Sequence, residues 1–311
     1  MKTIVVHIEG DDGQEARLNA AFDLARVAGG HLVCRSVMPY AAYALGDPAM
    51  GAFPVTTLID AVEARRKEER TAVEARLTQE GISWEWQSAD GDSSDRLVEH
   101  ARLADVVVMS AGPFSRQAAL QLGITGDVAI RSPAPVLAVP PNARGITVAG
   151  PALVCWDGGQ EAARALRAAL LLALSEAVTL LTVEEKDTQF GVRAAAAFLS
   201  RHGIHADVVE RAKGSSSIEQ VIRSVAAERQ AAWIVQGAYG HSRMGQMLFG
   251  GCAGTNPDRP LIWIKARAGQ PWQFLEGRPM AGAAWERGNE IRIPRRAWRS
   301  DRRRQTGRSC T

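Results

Sequence analysis

Two α/β modules joined head to tail, each a parallel sheet covered by helices on both faces, are the fold this sequence predicts. Three observations carry that expectation. The chain has 311 residues, about twice an ordinary domain length. Its strands are continuous apolar runs alternating with helical segments, the pattern of parallel strands buried on both sides. The order of elements also returns after a break marked by proline and glycine, as an internal duplication would produce.

In the first half, Ile4 to Ile8 is a strand, followed by the turn Glu9-Gly10-Asp11-Asp12 and an amphipathic helix from Gln14 to Val27. His31 to Val37 is a second strand, and Thr57 to Leu77 a long charged helix. Trp84 to Ser88 (strand), Ser93 to Leu103 (helix), Asp105 to Met109 (strand), Gly126 to Arg131 (weak helix) and Val136 to Val139 (strand) complete it. Residues 141–151 read as a linker between domains at 1–140 and 152–266. In the second half, Ala152 to Trp156 is a strand and Asp157-Gly158-Gly159 a turn. Glu161 to Leu174 follows as a helix with Ala162, Leu166, Ala169 and Ala173 on one face. Strands at Val178 to Val183, Ala206 to Glu210 and Trp233 to Gln236 alternate with helices at Val192 to Arg201 and Ser217 to Glu228. Leu261 to Ile264 is the candidate last strand. The two closest echoes are VVHIEGD against LVCWDGG and VVVMSAG against WIVQGAY.

Composition narrows the class. Hydrophobic residues make up 46% of the chain, enough for two cores. No apolar run reaches the roughly 18 residues a membrane span needs. The start, MKTIVVHIEGDD, turns acidic where a secretory signal would stay apolar, so a cytoplasmic protein without a membrane partner is expected. Cys34, Cys155, Cys252 and Cys310 are scattered without metal-ligand spacing, as core thiols in a reducing compartment would be. The net charge of +3 conceals an asymmetry: residues 252 to 311 carry +8 and residues 1 to 251 carry −5. The acidic body argues against nucleic acid as its main partner.

The chemistry-bearing segment is Gly237-Ala-Tyr-Gly240-His-Ser-Arg-Met-Gly-Gln-Met-Leu-Phe-Gly250-Gly251, with glycines spaced G-x2-G-x9-G after a parallel strand. Glycines let an anion approach backbone N–H groups closely, and the carboxyl edge of an open parallel sheet is where such ligands bind. A plain strand-to-helix loop needs similar turns, and the spacing alone leaves both readings open. The GxxxxGK[ST], GxGxxG and GxSxG motifs are absent. Gly214-Ser-Ser-Ser217 reads as a helix N-cap rather than a phosphate loop. The six histidines read as surface residues, with no catalytic or metal set among them.

This loop, the duplication and the element order resemble the universal stress protein family over about residues 1 to 251. The resemblance implies two flavodoxin- or Rossmann-like domains, each a five-stranded parallel sheet of order 3-2-1-4-5, with an adenine nucleotide at the strand-order reversal. It implies that Gly237, Gly240 and Gly250 hold the phosphates and ribose of ATP, with Mg accompanying it. By the same resemblance Asp157 contacts adenine and Val183 packs against it; Asp157 can equally be a turn residue. Gly251 stands where the family pattern has Ser or Thr, leaving backbone donors only. Gly254, Pro257 and Pro260 then interrupt the helix the family places next, so the second domain reads as incomplete there. In the first half Glu9 replaces the adenine-contacting Asp and Gly112-Pro113-Phe114-Ser115 breaks the glycine pattern, so a degenerate site is expected.

The expected function is therefore a non-enzymatic stress-response protein. It would bind adenine nucleotide weakly in its second domain and act through a regulatory protein partner or a homodimer. A tandem chain can imitate that dimer through its own edge strands. The alternatives are a scaffold with both sites dead and an ATP-cleaving or adenylating enzyme on the same fold. Residues 267–311 stay open between a basic arm for nucleic acid or an acidic partner, a disordered tail, and the product of a changed reading frame.

Overall fold

The computed structural model describes residues 1–38, 55–111, 123–167, 175–183, 190–237 and 262–265. Gly240, Gly250, Gly251 and the basic segment 267–311 lie outside the described residues. Residues 1–269 form one compact unit, which contains every element below.

The strands are β1 Thr3–Ile8, β2 His31–Met38, β3 Ser83–Asp90, β4 Val106–Ser110 and β5 Val136–Val139, then β6 Ala152–Cys155, β7 Val178–Val183, β8 Ala206–Arg211, β9 Trp233–Val235 and β10 Ile262–Lys265. The helices are α1 Gln14–Ala28, α2 Val55–Glu80, α3 Ser93–His100, α4 Ile124–Arg131, α5 Gln160–Arg167, α6 Val192–Arg201 and α7 Ile218–Glu228. The sequence reading ran α3 on to Leu103; the chain instead tightens into a 3-10 turn at Ala101–Leu103. Of the helix read from Glu161 to Leu174, residues 168–174 lie outside the described residues.

The strands form one sheet in the order β3-β2-β1-β4-β5-β10-β9-β6-β7-β8. The first five reproduce the order 3-2-1-4-5 with parallel pairing throughout. On the other side of the β5–β10 seam the same order appears reversed, as 10-9-6-7-8, again parallel within itself. The seam is antiparallel, with Trp263 opposite Ala138, Ile264 opposite Leu137 and Lys265 opposite Val136.

Alternation along each strand explains the covering of both faces. Ile4, Val6 and Ile8 of β1 face a core shared with Leu18, Phe22 and Leu24 of α1. Val5 faces the opposite core with Leu97 of α3 and Val128 of α4. In the second half Val154 and Val235 join the first of these cores, while Leu153 and Ile234 pack with Ile222 and Val225 of α7.

The segment 141–151, read as a linker, is tied down. Ala143 and Val148 are buried, and the Ile146 N–H donates to Asp23 Oδ2 of α1 at 2.8 Å. At its end, Trp233 Nε1 donates to the Gly150 carbonyl at 3.0 Å. Ser217 caps α7 through a reciprocal pair with Gln220, as read from the sequence.

Candidate functional site

Each half reverses its strand order once, between β1 and β4 and between β6 and β9. The carboxyl ends of the strands leave a crevice at such a reversal, where ligands of open α/β sheets bind. The two crevices are built differently.

In the second half the register places three expected residues at neighbouring strand ends. Cys155 lies opposite Leu181, so Asp157 and Val183 follow at the same level beyond β6 and at the end of β7. Val154 lies opposite Val235, so Gly237 follows two residues beyond β9, beside Trp156. The Asp157 side chain is exposed and its Oδ1 accepts the Gly159 N–H at 2.9 Å, closing the turn into α5. The turn reading of Asp157 thus holds, with the residue still at the crevice mouth. Val183 is half-buried against the α7-side core. Gly237 is required sterically: a Cβ there would stand 2.6 Å from both the carbonyl carbon and Cβ of Glu161 and 2.8 Å from the Ala162 nitrogen. Its lack of a side chain lets the first turn of α5 close on the end of β9.

In the first half the same place is filled. Arg17 of α1 is buried to 1% exposure. Its Nε donates to the His7 carbonyl at 2.9 Å, and one terminal nitrogen donates to Asp11 Oδ2 at 2.8 Å and to the Ser110 hydroxyl. The other terminal nitrogen pairs with Asp11 Oδ1 at 2.6 Å. The guanidinium therefore bridges the ends of β1 and β4 across the reversal. Ser110 occupies the position that Gly237 holds in the second half, and here the glycine sits on the helix side. A Cβ on Gly13 would lie 2.3 Å from Ser110 Oγ.

Charges around this bridge are strongly coupled. His7, read from the sequence as a surface residue, is instead buried because it lies inside the two-faced strand β1; burial, reinforced by the Arg17 cation, holds its imidazole neutral and lowers its pKa to about 4. Burial opposes ionisation of Asp11, but its bond to Arg17 and the attraction of that charge outweigh burial and keep its pKa below the ordinary value. Glu9 and Glu69 are both raised, chiefly by burial, with Asp11 adding repulsion at Glu9. The thiols of buried Cys34 and half-buried Cys155 are pushed up to about 12, chiefly by desolvation, which disfavours their reactive thiolates.

Two groups escaped the sequence reading. The Arg17 bridge was signalled by a cation on the apolar stripe of α1 together with Ser110 in a glycine's place. Gln236, 5% exposed, has an Nε2 with no hydrogen-bond partner among the described residues. Among the described residues no group of His, Cys, Asp and Glu is arranged to hold a metal ion, and no helix is long and apolar enough to cross a membrane.

Residues 1–140 match the Universal stress protein family. The fold is similar to a universal stress protein from Archaeoglobus fulgidus DSM 4304, with 15% identity, coverage of 86% of this chain and 96% of that chain, and a TM-score of 0.65. It is also similar to the functionally unknown protein PA1789 from Pseudomonas aeruginosa PAO1, with 16% identity, coverage of 85% and 92%, and a TM-score of 0.50. A universal stress protein solved in complex with cAMP matches 45% of this chain and 97% of its own at 23% identity and a TM-score of 0.33. No curated protein sequence matches the chain.

Proposed function

We propose that this chain, whose residues 1–140 carry a universal stress protein domain, is a tandem protein of that family whose second half, residues 152–266, binds an adenine nucleotide. The observation that carries the reading is the close approach of Gly237 to Glu161 at the second reversal, with Asp157 and Val183 at the neighbouring strand ends. That approach sets the backbone leaving β9 against the start of α5, where a phosphate-holding loop departs in proteins of this architecture. ATP, with Mg accompanying it, is the expected ligand. The same position in the first half holds the Arg17 guanidinium, so one nucleotide per chain is expected.

The proposed role is regulatory and non-enzymatic, in the cytoplasm, exerted through a protein partner whose contact the nucleotide modulates. Catalysis would need a nucleophile, a base or a metal carboxylate aimed at the phosphates, and the Asp157 carboxylate accepts the Gly159 N–H in the turn instead. The Arg17 bridge fills the first reversal, and a scaffold in which the second half binds no ligand either is the alternative reading.

The test is mass spectrometry of nucleotide released from gently purified, acid-denatured protein, comparing wild type with Gly240→Val. Near-stoichiometric adenine nucleotide in wild type alone supports the site. Absence in both, with no heat on titration with ATP, leaves the scaffold. Mg-dependent ATP turnover lost in Gly240→Val would replace the regulatory reading with an enzymatic one.

A further inference from the structure

Met109 and Gln236 occupy the same place in the two halves, one residue before Ser110 and Gly237 respectively. Met109 is 1% exposed and packs in the apolar core on the α3 and α4 side. Gln236 is comparably buried but carries an amide whose Nε2 has no partner among the described residues. Strand alternation places it on the same face as Ile234, the α7 side, where Cys155 and Val183 line the neighbouring strand ends. A buried amide donor left unsatisfied is costly, because its hydration is lost and nothing replaces it. The first half shows that an apolar side chain of similar length fits the position, so the fold alone gives no reason for glutamine there.

Resting on the nucleotide reading above, we infer that Gln236 is the base-selecting residue of the second crevice. A carboxamide presents one donor and one acceptor side by side. Adenine offers the complementary pair, an exocyclic N–H donor beside a ring-nitrogen acceptor, whereas guanine presents two acceptors on its corresponding edge. Reading the base on that N6/N7 edge, Gln236 pairs with adenine through both atoms and with guanine, which presents O6 and N7 there, through one, leaving its carbonyl oxygen facing another acceptor. Val183, on the same face, supplies an apolar surface for the ring. Adenine bound there would give the Gln236 Nε2 an acceptor.

Isothermal titration of the full chain with ATP and with GTP, for wild type, Gln236→Met and Gln236→Glu, tests this. Wild type is expected to prefer ATP at least tenfold. Gln236→Met, which installs the first half's residue, should weaken ATP roughly 5- to 160-fold, the range for one bidentate base contact. It should leave GTP within about threefold and raise the melting temperature, because an unsatisfied amide has been removed. Gln236→Glu keeps the shape, loses the neutral donor, and should lose the same preference, which keeps the test alive should Gln236→Met fold poorly. An unchanged ATP-to-GTP ratio in a folded variant overturns the inference and leaves nucleotide binding standing. Wild type that binds neither nucleotide overturns both.

Discussion

Gly237 and Glu161 touch backbone to backbone, so closely that a methyl group on the glycine would stand 2.6 Å from the glutamate's carbonyl carbon. The first half solves the same crossing the other way round, with Gly13 on the helix side and Ser110 on the strand. Each crossing has room for one side chain.

Gly237→Ala is therefore expected to destabilise the protein by about 1–3 kcal/mol, the cost of overpacking against backbone that cannot rotate away. Urea unfolding checks it; a change below a few tenths of a kcal/mol would contradict the contact. In the first half Gly13→Ala should be costly alone, because Ser110 Oγ is held by Arg17. The double variant Gly13→Ala with Ser110→Gly should recover at least half of that loss, a coupling that independent sites do not show.

The Arg17–Asp11 pair should respond asymmetrically. Arg17 is 1% exposed and always charged, whereas the Asp11 carboxylate is 39% exposed. Asp11→Ala strands a buried cation and should cost about 3 kcal/mol, while Arg17→Met leaves a carboxylate that water can reach and should cost about 1 kcal/mol. Chemical denaturation of both variants decides it, and equal losses would mean that the pair is solvated from both sides.

His7 makes part of the stability depend on pH. Its folded pKa, about 4, lies below its ordinary value of 6.5. Between those values the unfolded chain binds the proton and the folded chain does not, so stability from this group is complete above pH 6.5 and falls as pH drops towards 4. The full effect is on the order of 3 kcal/mol. Arg17, Asp11 and Glu9 face the same imidazole, so the measurement is the difference between wild type and His7→Leu at pH 7.5 and pH 5. That difference should shrink or reverse at the lower pH; a constant difference would place the imidazole in contact with water.

Ser217→Ala removes one side of the capping box on α7 and should cost about 1 kcal/mol. The same melt series reads it, and Ser217→Asp, which restores the acceptor, should recover most of the loss.

Much of this architecture was legible in the sequence because continuous apolar runs such as Ile4–Ile8 and Val178–Val183, alternating with helical segments, fit strands buried on both faces of a parallel sheet. The Ser217 cap and the position of Gly237 at a strand end were legible for local reasons: an N-cap hydroxyl and a glycine after a strand each have a short-range cause. Arg17 was not legible as a site residue. Its partners come from β1, the following turn and β4, and Ser110 lies 93 positions away in sequence. Gln236 was hidden for the opposite reason, since glutamine at the end of a strand ordinarily meets solvent and nothing nearby announces its burial. The segment 141–151 read as a spacer from its prolines and glycines, yet Asp23 of α1 binds its Ile146 backbone, a long-range bond that composition cannot signal.

The antiparallel seam between β5 and β10 has a consequence for how copies of this chain can meet. Each half presents its last strand to the other, and the backbone groups that a second molecule would need for that pairing are already taken. Among the described residues the free margins of the sheet belong to β3 and β8, at opposite ends of the order. β3 is a strand of mixed burial that includes Trp84 and Trp86, and β8 carries Asp207, Glu210 and Arg211. A chain ending before Ile262 would unpair β5 and offer it to whatever strand came first, its own kind included. The short segment Ile262–Lys265 thus acts as a built-in stopper against lateral growth, and its loss should register first as dimers or larger species in solution rather than as unfolding.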